Sequence, residues 1–341
     1  MAAWLGKGRA GVVVATLVLS GSACGQAGDA SPQPEAGEAE VTAQGINPMI
    51  SLHEAGQPVF GLYAPSARVR RPPGSEGASA PPPAEKTPDQ LASETLAFQG
   101  SDFVFDGTME GGVDAGLPAF TAYRNAMTAA GASARTHPIM VKMDVIRTDP
   151  QTAVRDIGRQ LDLGVSGIMF VEVESAEELR TGLAAMRYPE HGGTRADGVG
   201  EAPAYWGVSE AEYREKADLW PLNPRGELIN WTIIETPEGL RNVREIAAVE
   251  GIGVLWPGAG SLRGVFTTTG PDGERVFDQE GWEAAIQSVL AACKEFDVPC
   301  GYPANAGDIQ MRMEQGFEVF VMGWGESGFE TVRVGREAAG R

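Results

Sequence analysis

The chain has 341 residues, 43% of them apolar, with 46 acidic against 27 basic side chains and a formal net charge of −19. That length can bury a sizeable core, and so acidic a balance argues against nucleic acid or an anionic membrane surface as the main partner. Small anionic ligands stay open, because a local group of Lys and Arg can outweigh the global sign at one site.

Lys7 and Arg9 precede an apolar stretch from Gly11 to Leu19, then small residues from Ser20 to Ala23, then Cys24. This pattern makes residues 1–24 a signal peptide, too short for a stable membrane anchor. Small residues directly before a cysteine resemble a bacterial lipoprotein signal with Cys24 as the lipidated residue, although Gly21 stands where Leu is usual. The expectation is export: a lipoprotein at the cell envelope, touching the membrane only through its lipid, or otherwise a periplasmic or secreted protein. Residues 25–45 are small, acidic and Pro-containing and read as a disordered tether. A second such tract, at about 67–88, interrupts the folded domain 46–341 and carries Arg68, Arg70 and Arg71.

Between these tracts short β-type runs alternate with helical patterns. Strands are expected near 59–63, 102–106, 139–144, 167–173, 228–235, 253–256, 298–302 and 319–322. Helices are expected near 90–98, 118–130, 151–163, 176–186, 237–249, 280–296 and 306–315. Eight strands with helices between them fit an α/β fold of the (β/α)₈ TIM-barrel type better than an open sheet. The stretch from Gly270 to Asp278 reads as a hairpin or exposed loop. Export would place Cys293 and Cys300 in a disulfide-permissive compartment, but pairing depends on a Cα separation that sequence does not give. No Cys/His pattern suggests zinc.

In such barrels the chemistry sits at the C-terminal strand ends. Glu235 closes the apolar run of "LINWTIIETPEG", and a carboxylate there needs a partner. Asp106, Lys142, Asp144, Glu172 and Glu174 stand at neighbouring strand ends. Singly, each reads as a solvated strand end or an ion pair. Together, a carboxylate-rich rim with one lysine suits a hard divalent cation and an oxyanion.

The ordered motifs "LDLGVSGIMFVEVESAEELRTGLAAMRYP", "GTRADGVG" and "IIETPEGLRNVREIAAVEGIGVLWPG" resemble the HpcH/HpaI aldolase family of the pyruvate/phosphoenolpyruvate-barrel superfamily. With "NPMISLHEAGQPVFGLYAPSA" and "QGSDFVFDG", the resemblance covers roughly residues 46–335. It implies class II aldol chemistry, in which a divalent ion polarises a 2-keto acid and stabilises the pyruvate enolate as a C–C bond breaks or forms. Its partners would be a small 2-keto acid and its aldehyde product. In the family pattern Glu235 is a metal ligand, Asp162 helps hold the rim or a neighbouring subunit's site, and Lys142 stands where an Arg supports the enolate. Arg187 and Arg195 either pin a distal carboxylate of the substrate or merely close the long loop from 187 to 227. Family members commonly assemble as trimers or hexamers, and the loop carrying Tyr205, Trp206, Tyr213 and Trp220 is read as a subunit contact.

Two departures stand out. The family's D-x-E-H base motif is replaced by "DGTMEGG", which has no His, and its G-P-x-D ligand motif by "WPGAGSL", with Ala259 or Gly260 at the Asp position. Three readings follow. In a rebuilt enzyme, Asp106 or Glu110 is the base, Glu172 joins Glu235 on the metal, and Gly258, Ala259 and Gly260 face the substrate. In a catalytically altered barrel, the same rim binds a small organic acid at the cell surface. In the third, Lys142 forms a Schiff base, which requires a desolvated amine of low pKa; surrounding carboxylates oppose that.

Overall fold

Short β-branched runs alternating with capped helices give a parallel sheet wrapped by helices. The computed structural model describes residues 45–68 and 84–341. The signal peptide, Cys24, nearly all of the tether and most of the 67–88 tract lie outside the described residues.

The strands are β1 (Val59–Tyr63), β2 (Phe103–Asp106), β3 (Ile139–Lys142), β4 (Gly167–Phe170), β5 (Leu219–Trp220), β6 (Leu228–Ile234), β7 (Val254–Pro257), β8 (Thr267–Thr269), β9 (Arg275–Phe277), β10 (Gly301–Tyr302) and β11 (Val319–Met322). Each expected strand is present. β8 and β9 form the antiparallel hairpin anticipated around Gly270, and the short β5 runs beside the start of β6.

The main sheet is parallel and follows the order β10-β11-β1-β2-β3-β4-β6, with β7 on the other side of β6. The expected closed (β/α)₈ TIM barrel is corrected here. The sheet curls, but the ladder is open between β7 and β10, where Leu255 and Cys300 make only an isolated bridge. Prolines account for the gap: Pro257 ends β7, and Pro299 and Pro303 flank β10, and proline has no N–H to donate to a ladder.

Capping places the helices. Asp149 accepts from Thr152 N at 3.1 Å and Ser175 Oγ from Glu178 N at 3.1 Å, opening helices Pro150–Leu161 and Ala176–Met186. After β6, Thr236 Oγ1 accepts from Gly239 N at 3.0 Å, so the chain turns into helix immediately beyond Glu235. The helix expected over 237–249 breaks at Asn242 into Pro237–Arg241 and Val243–Ala247. Helices Pro48–Glu54, Ala202–Trp206, Glu210–Lys216, Ala259–Val265 and Glu326–Ala338 were not expected from periodicity; four of these have seven residues or fewer, too short to show a 3.6-residue repeat. Among the described residues no helix is long and apolar enough to cross a membrane.

Alternation along the strands sorts apolar side chains into two layers. Phe103, Phe105, Met140, Met169, Trp231, Ile233, Trp256 and Val321 fill the concave interior of the sheet. Val104, Val141, Phe170, Ile234 and Leu255 face the helices.

Tyr205, Trp206 and Tyr213, expected at a subunit contact, are fully buried within the chain. Tyr205 donates to His137 O (2.7 Å) and Trp206 Nε1 to Gly164 O (2.9 Å), while Trp220 stacks on His53 beneath the sheet at 5.3 Å. Tyr205, Trp206 and Tyr213 are packed inside one chain and are not free to face another, while Trp220 is half-buried.

Cys293 and Cys300 are bonded, with Cα atoms 5.7 Å apart, tying helix Gln279–Phe296 to the open edge at β10. The bond closes a short loop, so chain-entropy arguments give it about 2 kcal/mol. Urea unfolding of the Cys293→Ala/Cys300→Ala double variant should show a loss of that size, with no further loss on adding reductant.

Candidate functional site

Strand parity decides which rim residues share a space. In β2, β3, β4 and β6, Phe105, Lys142, Val171 and Ile233 point inward; Glu235, two residues beyond Ile233, does so too. Lys142 and Glu235 therefore border one cavity of about 220 Å³ at the C-terminal end of the sheet, together with Tyr63, Gly258, Ala259, Gly260, Ser261 and Pro303, over a floor of Phe105, Met169, Ile233, Trp256 and Val321.

Glu235 is 7% exposed. Its Oε1 accepts from the backbone N–H of Glu172 at 3.1 Å and its Oε2 from Ser261 Oγ at 2.6 Å. Gly258 is required beside it: a Cβ there would lie 2.4 Å from Glu235 Cβ and 3.0 Å from Oε2. Gly258→Ala is expected to displace the carboxylate and weaken binding of any ligand in the cavity at least tenfold, measured by calorimetry on a variant whose unfolding midpoint is checked in parallel.

Lys142 Nζ donates to Glu110 Oε1 at 2.6 Å. Burial opposes its charge, but the Glu110 hydrogen bond and the charges of Glu110 and Glu235 outweigh burial and raise its pKa. Tyr63 is held above the ordinary phenol range, mainly by burial.

The remaining expected residues lie elsewhere. Asp106 faces the helix layer, accepts from Thr108 N at 2.8 Å and has its pKa raised by burial. Glu172 sits at φ 48°, and this left-handed turn aims its N–H at Glu235. Its carboxylate is held by Arg147 at 2.8 Å, and Arg147 also reaches Glu172 O and, at 3.1 Å, Glu174. Arg187 pairs with Asp218 through two bonds of 2.5 and 3.0 Å. Arg195 is fully buried, donates to Asp162 Oδ1 at 2.8 Å and to Tyr213 Oη at 3.0 Å, and lies over the Tyr188 ring at 4.4 Å. None of Asp106, Asp162, Glu172, Glu174, Arg187 and Arg195 borders the cavity, and Glu110 stands outside its lining as well, half-exposed and joined to it through Lys142.

For a divalent ion the donor set is incomplete. Glu235 is, among the described residues, the single carboxylate lining the cavity, both its oxygens already accept hydrogen bonds, and Arg147 holds the Glu172 carboxylate. Among the described residues no three His, Cys, Asp or Glu side chains converge as a metal site. An ion held by Glu235 with Glu172 does not fit this arrangement.

Tyr63, Ser261 and Arg147 were not singled out from the sequence. Alternation along β1, counted from the buried Val59, would have pointed Tyr63 inward. Ser261 lies in the seven-residue helix Ala259–Val265 and Arg147 in a three-residue 3-10 helix, both too short to show a pattern.

The fold is similar to that of an HpcH/HpaI aldolase/citrate lyase family protein from Burkholderia cenocepacia, with a TM-score of 0.58 at 20% identity over 86% of this chain and 97% of that one. A hydroxypyruvate/pyruvate aldolase of Delftia acidovorans is 33% identical over 138 residues, 40% of this chain and 48% of that protein. A 2-dehydro-3,6-dideoxy-6-sulfogluconate aldolase of Pseudomonas putida is 29% identical over 161 residues, 47% of this chain and 57% of that protein. The chain thus spans about half the length of these curated relatives. The HpcH/HpaI aldolase/citrate lyase model matches residues 90–315, which take in β2 through β10 and every cavity residue except Tyr63 and Val321. The chain belongs to the HpcH/HpaI aldolase/citrate lyase family.

Proposed function

We propose that this protein is a carbon–carbon lyase that cleaves or forms a small 2-keto acid through a pyruvate enolate in the cavity between Lys142 and Glu235. The observation that carries the reading is the Lys142 ammonium, oriented by Glu110 at 2.6 Å, over a cavity with an apolar floor. A cation fixed in a site of low polarity stabilises the negative charge that develops on an enolate oxygen. In the cleavage direction Glu110 takes the proton from the aldol hydroxyl, the C–C bond breaks, an aldehyde leaves, and the enolate is reprotonated on carbon to give pyruvate.

The expected test is pyruvate release from 4-hydroxy-2-keto acids by the full chain, lost at least a hundredfold in Glu110→Gln. Assays with EDTA and with added manganese separate a reaction run by side chains alone from an ion-dependent one. Release that survives Glu110→Gln would remove Glu110 from this role. The raised pKa of Lys142 argues against a Schiff base, so borohydride treatment in the presence of pyruvate should leave the mass of the protein unchanged.

A second reading, favoured by the engagement of Glu172 with Arg147, is a barrel-like protein that binds a small organic acid without turning it over. Binding without release or condensation would establish that reading. Export is part of the proposal, supported by the disulfide, which belongs to an oxidising compartment. Assembly as a trimer or hexamer is a further part, read directly by light scattering after size exclusion.

A further inference from the structure

The cavity is strongly two-sided. Its charged and hydroxyl groups gather at the rim, on Tyr63, Lys142, Glu235 and Ser261, and its floor is apolar apart from the indole N–H of Trp256. That floor is also stiff. Phe105 stacks on Trp231 (5.8 Å, 13°), Trp231 on Trp256 (5.3 Å, 15°), and Tyr63 meets Phe105 edge-on at 4.9 Å. Trp231, stacked on both faces, holds the floor rings Phe105 and Trp256 from beneath, and close packing of this kind presents a fixed surface.

The lining sets what can enter. Among the described residues it contains one ammonium and one carboxylate, and no Arg, His, Asn, Gln or Asp. A polyhydroxylated chain or a second carboxylate reaching the floor would lose most of its water and gain at most the single N–H of Trp256. A volume of about 220 Å³ equals the share of roughly seven liquid waters, more than the carboxylate and carbonyl of a three-carbon keto acid occupy at the rim.

We propose that the substrate is a 2-keto acid with an apolar, aromatic substituent, its carboxylate and keto oxygen at Lys142 and its ring on the Phe105–Trp256 floor. This rests on the reading of the cavity as a 2-keto acid site. The specificity-determining residues are then Phe105, Met169, Trp256 and Val321, which touch the substituent.

The test is titration calorimetry of the full chain with pyruvate, phenylpyruvate and 2-oxoglutarate. Phenylpyruvate should bind at least tenfold tighter than pyruvate, 2-oxoglutarate should bind more weakly than pyruvate, and the heat-capacity change should be most negative for phenylpyruvate, the mark of apolar burial. Val321→Phe should bring the phenylpyruvate-to-pyruvate ratio close to one; if that variant does not fold, the heat-capacity comparison on the wild type decides. Pyruvate binding as tightly as phenylpyruvate, or 2-oxoglutarate binding tightest, would overturn this inference and leave the 2-keto acid reading standing. No binding of any of the three would overturn both.

Discussion

Lys142→Met should raise the Kd for pyruvate by about two to three powers of ten. Among the described residues Lys142 is the only cation lining the cavity, and its side chain is 12% exposed. Removing one partner of a largely desolvated charge contact costs about 2–4 kcal/mol. Met preserves the apolar stem, so the loss reports the charge. Lys142→Arg keeps that charge but presents a planar fork in place of a point donor, and should recover most of the affinity. With the Lys142 pKa raised, binding should be flat across neutral pH. The stabilising contribution of the Glu110 pair follows the same sign: it is fully present below the free-lysine value of 10.5 and is lost only as pH rises beyond the elevated folded value. Calorimetry of the three proteins between pH 6 and pH 9 checks the affinities, urea unfolding of the wild type carried above pH 10.5 checks the pair, and an unchanged Kd in Lys142→Met would remove Lys142 from the site.

Arg195→Met should lower stability by about 3–5 kcal/mol, the penalty for breaking a buried charge pair and leaving its partners unmatched. Arg195 ties Asp162 at the end of helix Pro150–Leu161 to Tyr213 in the following excursion and covers the Tyr188 ring. The same backbone at Asp162 accepts from Glu201 N at 2.7 Å, so one residue holds both ends of a long connection. Urea unfolding measures the loss. In the folded variant, affinity for pyruvate should stay within about twofold, because Arg195 does not border the cavity. A fall in affinity with little change in stability would restore the substrate contact that is one of the two readings of Arg195 from the sequence.

The order of strands was legible because each carries a β-branched run bounded by turn residues. The closure was not, because it depends on which backbone N–H groups meet at one edge, where Pro257, Pro299 and Pro303 leave only the Leu255–Cys300 bridge. At the rim, residue type found the charged positions and alternation sorts them: Lys142 and Glu235 are in phase with the inward-facing Met140 and Ile233, whereas Asp106 and Glu172 are out of phase with Phe105 and Val171. Partners that deviate from strand geometry, such as Arg147 gripping Glu172 at its left-handed turn, left no mark in the sequence. The substituted motif "WPGAGSL" was legible as a loss of an acidic ligand. What it supplies instead, a glycine pressed against Glu235 and a serine hydrogen-bonded to it, required coordinates.

The most direct test of the account is exchange of the pyruvate methyl protons with deuterated solvent, followed by NMR for the full chain and for Lys142→Met. Exchange well above the protein-free rate, abolished in the variant, is the predicted result, since it requires the enolate that Lys142 is placed to stabilise. Pyruvate that binds the wild type yet exchanges at the protein-free rate would contradict the lyase and leave a binding protein in its place.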